Sequence, residues 1–338
     1  MNEKVTIYTI AEELNMSPSM VSRAFNPKGR IDEKKRKLVL DTAKKYGYTP
    51  NRFASRLSMK RVKIGVFGRS KFDPVAKQLL EGIEKAYTEL KDYKIEKTTI
   101  VCKTREECEK RADEIYGCDG AIVFGLSSQE DLPILNNMAP NVKNIVQLQS
   151  VNEDFECLFS SKHSEKTASE TAAEFLYNCL KRSVSKNVIL FTGDLSSKVH
   201  KNAKEHFFEK CKEYGFNLLE CVDMKDREDI LEEKAKEVFE KHKDIDGIYI
   251  TSGNSLALCR YIKENKKDVF LVTFDVYKEL SEYIKNSVVS ATIFQNLENQ
   301  GKNAFEKLVN YIVKGEAPEK TIYTNVELVM KSNIDFYI

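Results

Sequence analysis

Groups able to make or break covalent bonds are sparse along this 338-residue chain. Only four histidines are available for acid–base work, and no Gly-x-Ser-x-Gly, His-Glu-x-x-His or Walker loop occurs. The run GVFGRS gives half of a nucleotide-binding turn but lacks both the full Gly-x-Gly-x-x-Gly and an acidic partner. All eight cysteines lie between Cys102 and Cys259 without a Cys-x-x-Cys pair, which reads as reduced, mostly buried thiols rather than zinc ligands or a redox dithiol. Enzyme chemistry, a metal and a cofactor are therefore not expected. Phosphate binding is. Residues 1–62 hold 14 Lys and Arg against 6 Asp and Glu, and the remainder holds 40 against 46, so the net charge of +2 conceals a basic head on an acidic body. A protein gains by concentrating basic charge where counterions are displaced from DNA.

The elements that must carry that charge are short. Ile7, Ile10, Ala11 and Leu14 fall on one helical stripe, and Asn15 with Met16 can make a tight turn. Ser17 suits an N-cap and Pro18 a first helical position, so a second helix runs to about Asn26, with Met20, Val21 and Ala24 inward and Ser19, Ser22 and Arg23 outward. Two helices joined this closely make a helix-turn-helix, whose second helix enters the major groove. A third helix starts at Asp32 and Glu33 and ends at Gly47, with Leu38, Val39, Thr42 and Ala43 inward and Lys34, Lys35, Arg36 and Lys37 in solvent. Beyond Pro50, Phe53, Ala54 and Leu57 again keep helical spacing among Arg52, Arg56, Lys60 and Arg61, in a segment too short to be a stable helix alone.

From Val62 onward apolar runs such as VKIGVFG, GAIVFG, GIYIT and VFLVTF alternate with amphipathic helical stretches, in two similar blocks. That rhythm predicts parallel sheets covered on both faces and two lobes, with ligand binding beyond the carboxyl ends of the strands. A composition of 41% hydrophobic and 31% charged residues is that of a globular protein. No run approaches the ~18 to 20 apolar residues of a membrane span, and the first thirty residues lack a signal-peptide core, so a cytoplasmic protein without membrane contact is expected.

The run VTIYTIAEELNMSPSMVSRAFNPKGRIDEKKRKLVLDTAKKYGYTPNRFASRL resembles the head and hinge of the lactose-repressor (LacI/GalR) family, most densely at Thr6, Ile10, Ala11, Ser17, Val21-Ser22-Arg23, Asn26, Gly47-Tyr48 and Pro50-Asn51. The resemblance implies base readout by Pro18, Ser19 and Arg23, with Arg23 able to bind guanine O6 and N7. It implies phosphate contacts by Thr6, Ser22, Asn26 and Arg30. It also implies a hinge helix over 51–58 in which Asn51, Arg52, Ala54 and Leu57 meet the minor groove, Leu57 as the wedge between central base pairs. Pro18 stands where several relatives carry a larger polar side chain, which shifts base preference onto Ser19 and Arg23.

The rest of the chain is similar to the periplasmic-binding-protein-like body of the same family, most clearly over VTFDVYKEL and IKNSVVSATIFQNLENQGKNAFEKLVNYI. By that similarity Asn254, Asp275 and Gln295 bind the effector, and a carboxylate with two amides suits hydroxyl-rich ligands. Other pocket positions depart from the pattern. Val75 and Ala76 replace paired aromatics, Ala203 replaces an arginine, and CLFSSKHSEKTAS lacks a Gly-x-Asp-Asn turn; Phe72, His200 and Lys201 are the candidates to substitute. The expected architecture is an all-α helix-turn-helix head (1–50), a hinge (51–61), and an α/β body (62–338) of two Rossmann-like parallel-sheet lobes of the periplasmic-binding-protein type I. The first lobe takes about 62–161 and 292–321, and the second about 162–291 and 322–338, with crossings at Ser160 to His163, Ala291 to Phe294 and Thr321 to Tyr323. The expected function is a homodimeric repressor that binds a palindromic double-stranded DNA operator under control of a small, sugar-like effector. The alternative is an orphan repressor whose cleft has lost its effector, motivated by Val75, Ala76 and Ala203.

Overall fold

The computed structural model describes residues 5–25, 29–48, 61–70 and 72–338. Asn26 and the hinge positions Asn51, Arg52, Ala54 and Leu57 lie outside the described residues. The chain forms two compact units, Met1–Arg61 with Asp92–Lys94 and Val62–Lys91 with Ile95–Ile338.

The first unit contains α1 (Ile7–Glu13), α2 (Pro18–Phe25) and α3 (Glu33–Lys45). Thr6 and Thr9 cap α1 reciprocally: the Thr9 amide donates to Thr6 Oγ1 at 3.4 Å, and the Thr6 amide donates to Thr9 Oγ1 at 3.1 Å. The turn into α2 passes through Asn15 at φ 48°, a left-handed conformation asparagine tolerates. The Asn15 and Met16 amides there donate back to the Glu12 and Ala11 carbonyls at 3.1 and 2.9 Å. Ser17 Oγ accepts the Met20 amide at 3.3 Å, and Pro18 opens α2 as expected. Ile10, Ala11, Val21, Ala24 and Val39 form the small core, with Leu14, Phe25 and Tyr48 packed around it.

Two residues of α3 lie on the other side from expectation. Leu38 is 49% exposed. With residues about 100° apart on a helix, Val39 and Ala43 fill the narrow face that meets α1 and α2, and their neighbour is turned out. Arg36, expected in solvent, is half-buried and donates to the carbonyls of Ala24 at 2.9 Å and Gly29 at 2.7 Å. Its guanidinium thereby serves a carbonyl at the end of α2, where the helix itself offers no amide.

The body holds two sheets. The first contains β1 (Val62–Arg69), β2 (Ile95–Cys102), β3 (Gly120–Phe124), β4 (Ile145–Leu148), β5 (Phe159–Lys162) and the late strand β11 (Thr321–Tyr323), in the order β11-β5-β4-β3-β1-β2. The second contains β6 (Asn187–Thr192), β7 (Asn217–Asp223), β8 (Gly247–Ile250), β9 (Phe270–Phe274), β10 (Ala291–Phe294) and β12 (Glu327–Val329), in the order β12-β10-β9-β8-β6-β7. Every pairing is parallel except β12 against β10. Strands β3 and β8 are buried along their whole length, which is why they read as unbroken apolar runs.

Numbered in chain order, α4 (Asp73–Glu89), α5 (Arg105–Arg111), α6 (Leu132–Met138) and α12 (Leu297–Lys314) accompany the first sheet. Helices α7 (Glu165–Cys179), α8 (Lys198–Tyr214), α9 (Glu228–Lys241), α10 (Leu256–Glu264) and α11 (Lys278–Lys285) accompany the second. Helices α4 and α12 cross at close quarters: a Cβ on Gly82 would stand 1.8 Å from the Glu298 carbonyl oxygen, and one on Gly301 would stand 2.1 Å from that of Leu79. Only glycine permits this approach, and it seats the late helix α12 on the first lobe.

Each lobe crossing lies at the end of the segment expected to be near it, or directly after it. Ala291 to Phe294 form β10, in register with β9 of the second sheet, so the chain changes lobe at Gln295 and Asn296, just before α12. Thr321 to Tyr323 pair with β5, so the third crossing follows Tyr323. The first comes at His163 and Ser164, between β5 and α7. In each case the strand ladder holds the chain to its sheet until the hydrogen-bonding register ends.

Arg36→Ala leaves the Ala24 and Gly29 carbonyls without their donor, and should destabilise the α2–α3 packing by about 1 to 3 kcal/mol. Hydrogen exchange of the α2 amides in the intact protein should accelerate accordingly. The neighbouring exposed Lys37→Ala serves as the control and should leave these rates unchanged.

Candidate functional site

The outer face of α2 is polar and basic. Ser19, Ser22 and Arg23 are exposed while Val21 and Ala24 are buried, so packing of the inner face fixes which side chains turn outward. Pro18 is half-buried at the helix start, and the Ser19 hydroxyl lies 3.0 Å from that of Ser17. Thr6 and Arg30 are also exposed. Hydroxyls and a guanidinium on one helix face can donate to phosphate oxygens and to base edges.

In the body, a cavity of about 530 Å³ lies between the lobes and is lined by residues from the carboxyl ends of both sheets. Asn254, Asp275 and Gln295 all line it. Asp275 follows β9 directly, at φ 68°. Its backbone is pinned by β10: its amide donates to the Ile293 carbonyl at 2.8 Å, and its carbonyl accepts the Thr292 hydroxyl at 2.6 Å. One carboxylate oxygen, Oδ1, accepts Gln295 Nε2 at 2.6 Å. The Gln295 backbone carbonyl in turn accepts Gln300 Nε2 at 2.8 Å and the Thr324 hydroxyl at 3.0 Å. Asp275 is 3% exposed, and burial, only partly countered by the Gln295 amide, pushes its carboxyl up to about 7. Asn254 spends its side-chain N–H on the Asp226 carbonyl at 3.1 Å and so braces the loop it sits on.

Of the proposed substitutes, Phe72 and His200 line the cavity, whereas Lys201 is exposed and outside the lining. His200 Nδ1 stands 3.0 Å from Thr251 Oγ1, and its Nε2 stands 3.4 Å from Asp226 Oδ2. Burial disfavours the imidazolium, but Asp226, reinforced by Asp194 and Asp223, outweighs it and raises the pKa of His200. Burial likewise opposes ionisation of Asp226. The His200 charge, the Asp194 amide and the Ser252 hydroxyl overcome it and hold the Asp226 carboxyl well below the usual range. Asp226 sits at φ 52° directly after Lys225 at φ 56°, two successive residues in left-handed backbone.

Three further lining groups carry no sequence signal of their own. Arg69 grips the fully buried Asp131 with both terminal guanidinium nitrogens, at 2.8 and 3.0 Å. Buried Glu165 pairs with Lys162 at 3.0 Å. His163 is 3% exposed, burial lowers its pKa to about 4, and its Nδ1 has no hydrogen-bond partner. No motif spacing marks these residues, because partners as far apart as Arg69 and Asp131 meet only when strand ends converge. The eight cysteines are free and five are buried. Among the described residues no helix is long and apolar enough to cross a membrane, and no group of side chains could hold a metal ion.

A periplasmic binding protein domain model matches residues 116–317. The HTH-type transcriptional regulator DegA of Bacillus subtilis is 35% identical over 88 residues, 26% of each chain. The HTH-type transcriptional regulator pepR1 of Lactobacillus delbrueckii subsp. lactis is 26% identical over 226 residues, 62% of each chain. Catabolite control protein A of Priestia megaterium is 28% identical over 165 residues, 45% of this chain and 48% of that one. The chain thus spans less than two thirds of the length of each of these relatives. Among solved structures, the lac repressor dimer bound to operator and the anti-inducer ONPF matches with a TM-score of 0.66 at 19% identity, covering 97% of this chain and 98% of that one. GanP, a glucose-galactose binding protein from Geobacillus stearothermophilus, matches with a TM-score of 0.72 at 18% identity, covering 81% and 99%. These two likenesses speak for the fold. Through the matched domain, which spans more than half of its length, the chain belongs to the periplasmic binding protein domain family.

Proposed function

We propose that this protein is a homodimeric transcription repressor that binds a palindromic operator through its heads and is controlled by a small, sugar-like effector in the cleft between its lobes. The observation that carries the DNA-binding reading is the outward face of α2, where Ser19, Ser22 and Arg23 share one solvent side of a helix whose other side is locked into the head core. Two-fold protein symmetry then appears as operator symmetry, with hinge segments pairing over the central minor groove. An effector that prefers one arrangement of the lobes shifts the balance between DNA-binding and non-binding states by its difference in affinity for the two.

Asp275 favours a working cleft over a vestigial one. A buried carboxyl whose pKa rises on folding weakens the fold, and a position that does so without serving a ligand is readily relieved by substitution. The sign of the effect follows from proton binding: the folded chain holds this proton more tightly, so the cost is absent at pH 4 and complete above pH 7.

Asp275→Asn keeps a residue that tolerates φ 68° and removes the charge. It should therefore raise the stability of the unliganded protein at pH 8 by on the order of 2 to 4 kcal/mol, with the gain fading toward pH 4. Thermal unfolding of variant and native chain across that range measures it, and a gain no larger at pH 8 than at pH 4 removes the argument.

On DNA, Arg23→Ala should cost about 1 to 3 kcal/mol on the operator and relax base preference there. An equal loss on random duplex would assign Arg23 to the backbone instead. The reading as a whole is tested by selecting genomic fragments with the purified protein, with and without a panel of small polar compounds. A palindrome gained or lost with one compound supports it, a palindrome indifferent to all supports the orphan repressor, and no enriched site overturns both.

A further inference from the structure

Five carboxylates of the cavity lining are buried or half-buried, and three of them have a cation of their own. Asp131 has Arg69 at 2.8 Å, Glu165 has Lys162 at 3.0 Å and Asp226 has His200 at 3.4 Å. Asp194 and Asp275 have none: Asp194 is half-buried and accepts the Ser196 amide, whereas Asp275 is 3% exposed and has only the neutral amide of Gln295, on one oxygen. The remaining described cations of the lining are also committed, Lys103 to Asp73 and Arg105 to Glu109 and Glu130. Among the described lining residues seven bear carboxylates and three bear permanent cations, so the cavity offers an anionic ligand no unpaired charge and offers a cationic one a desolvated partner.

The second oxygen of Asp275 accepts no hydrogen bond from the described residues. It lies with the Phe72 ring against Gly253, where a Cβ would stand 2.8 Å from Asp275 Oδ2 and 2.9 Å from the ring, so only glycine lets carboxylate and ring come this close together at the cavity wall. Phe72 is held there by an edge-on contact with Tyr277 at 5.1 Å, and the Tyr277 hydroxyl donates to the Gly253 carbonyl at 2.8 Å, fixing that side of the cavity. Close by, His163 is buried in the lining beside Gln295 with a nitrogen that has no partner. A neutral imidazole nitrogen, a carboxylate and an aromatic ring are the surroundings that suit an ammonium group: two acceptors and a π face.

Accepting the cleft as an effector site, we infer that its effector is a small hydroxylated amine, of about the size of an amino sugar, whose ammonium group pairs with Asp275 beside Phe72. Hydroxyls elsewhere on the molecule meet the amide and hydroxyl groups of the lining, while phosphorylated and carboxylate compounds meet uncompensated negative charge.

The test is calorimetric titration of the full chain at pH 8 with compounds matched in shape and differing in charge: hexosamines and small hydroxylated amines, their neutral hexose or polyol parents, and the corresponding hexose 6-phosphates. Amines should bind at least tenfold more tightly than the neutral parents, with the phosphates weakest. Asp275→Asn should erase or invert the preference of amine over parent while remaining folded, as its melting temperature reports. Gly253→Ala, whose methyl must push the carboxylate and the ring apart without changing charge, should weaken amine binding. Neutral or phosphorylated compounds binding as well as the amines overturn this inference and leave the effector reading standing. Binding by no class of compound overturns both, and an amine preference that survives Asp275→Asn removes Asp275 as the partner.

Discussion

Parallel strands covered by helices on both faces leave their unpaired polar groups in one place, the loops that follow the strands' carboxyl ends. Both sheets of the body obey this constraint, and the cleft is where the two sets of loops face each other. The lining therefore collects charged groups that the interior of either lobe excludes. Most are neutralised where they stand, Arg69 by Asp131 and His200 by Asp226, and such pairs hold loop geometry at little cost once both partners are present.

Asp275 is the buried exception around which the site is organised. Its left-handed backbone is imposed by two bonds to β10, and its carboxylate is aimed by Gln295, whose own backbone carbonyl is fixed from α12 by Gln300 and from the third crossing by Thr324. Gln295 is itself at the second crossing. The carboxylate that most disfavours the unliganded fold is thus mounted on two of the segments that join the lobes. On the proposed function, a ligand that neutralised it would act at the segments that join the lobes.

The head follows a different economy. It has few buried side chains, and much of its order comes from turn and cap chemistry: the Thr6–Thr9 box, Asn15 in the turn, and Arg36 closing the end of α2. These local devices fix the direction of α2 and free its outer face for contacts made elsewhere.

Local order explains how much could be read without a fold. The Ile10 to Val21 core pattern, the Ser17-Pro18 helix start, the two-block strand rhythm and the candidate positions Asn254, Asp275 and Gln295 all rest on patterns within short windows, or on the family resemblance those windows carry. Leu38 and Arg36 were misread because the choice between a core face and its neighbour, or between solvent and a distant carbonyl, depends on where another helix lies. The β10 and β11 boundaries shifted because strand membership is decided by the partner strand. Composition and short-range pattern determined the two-part architecture and the outward face of α2. Only the tertiary structure decided which carboxylates in the cleft have a cation, because charge pairing between loops is a matter of distance in space, which residue spacing does not encode.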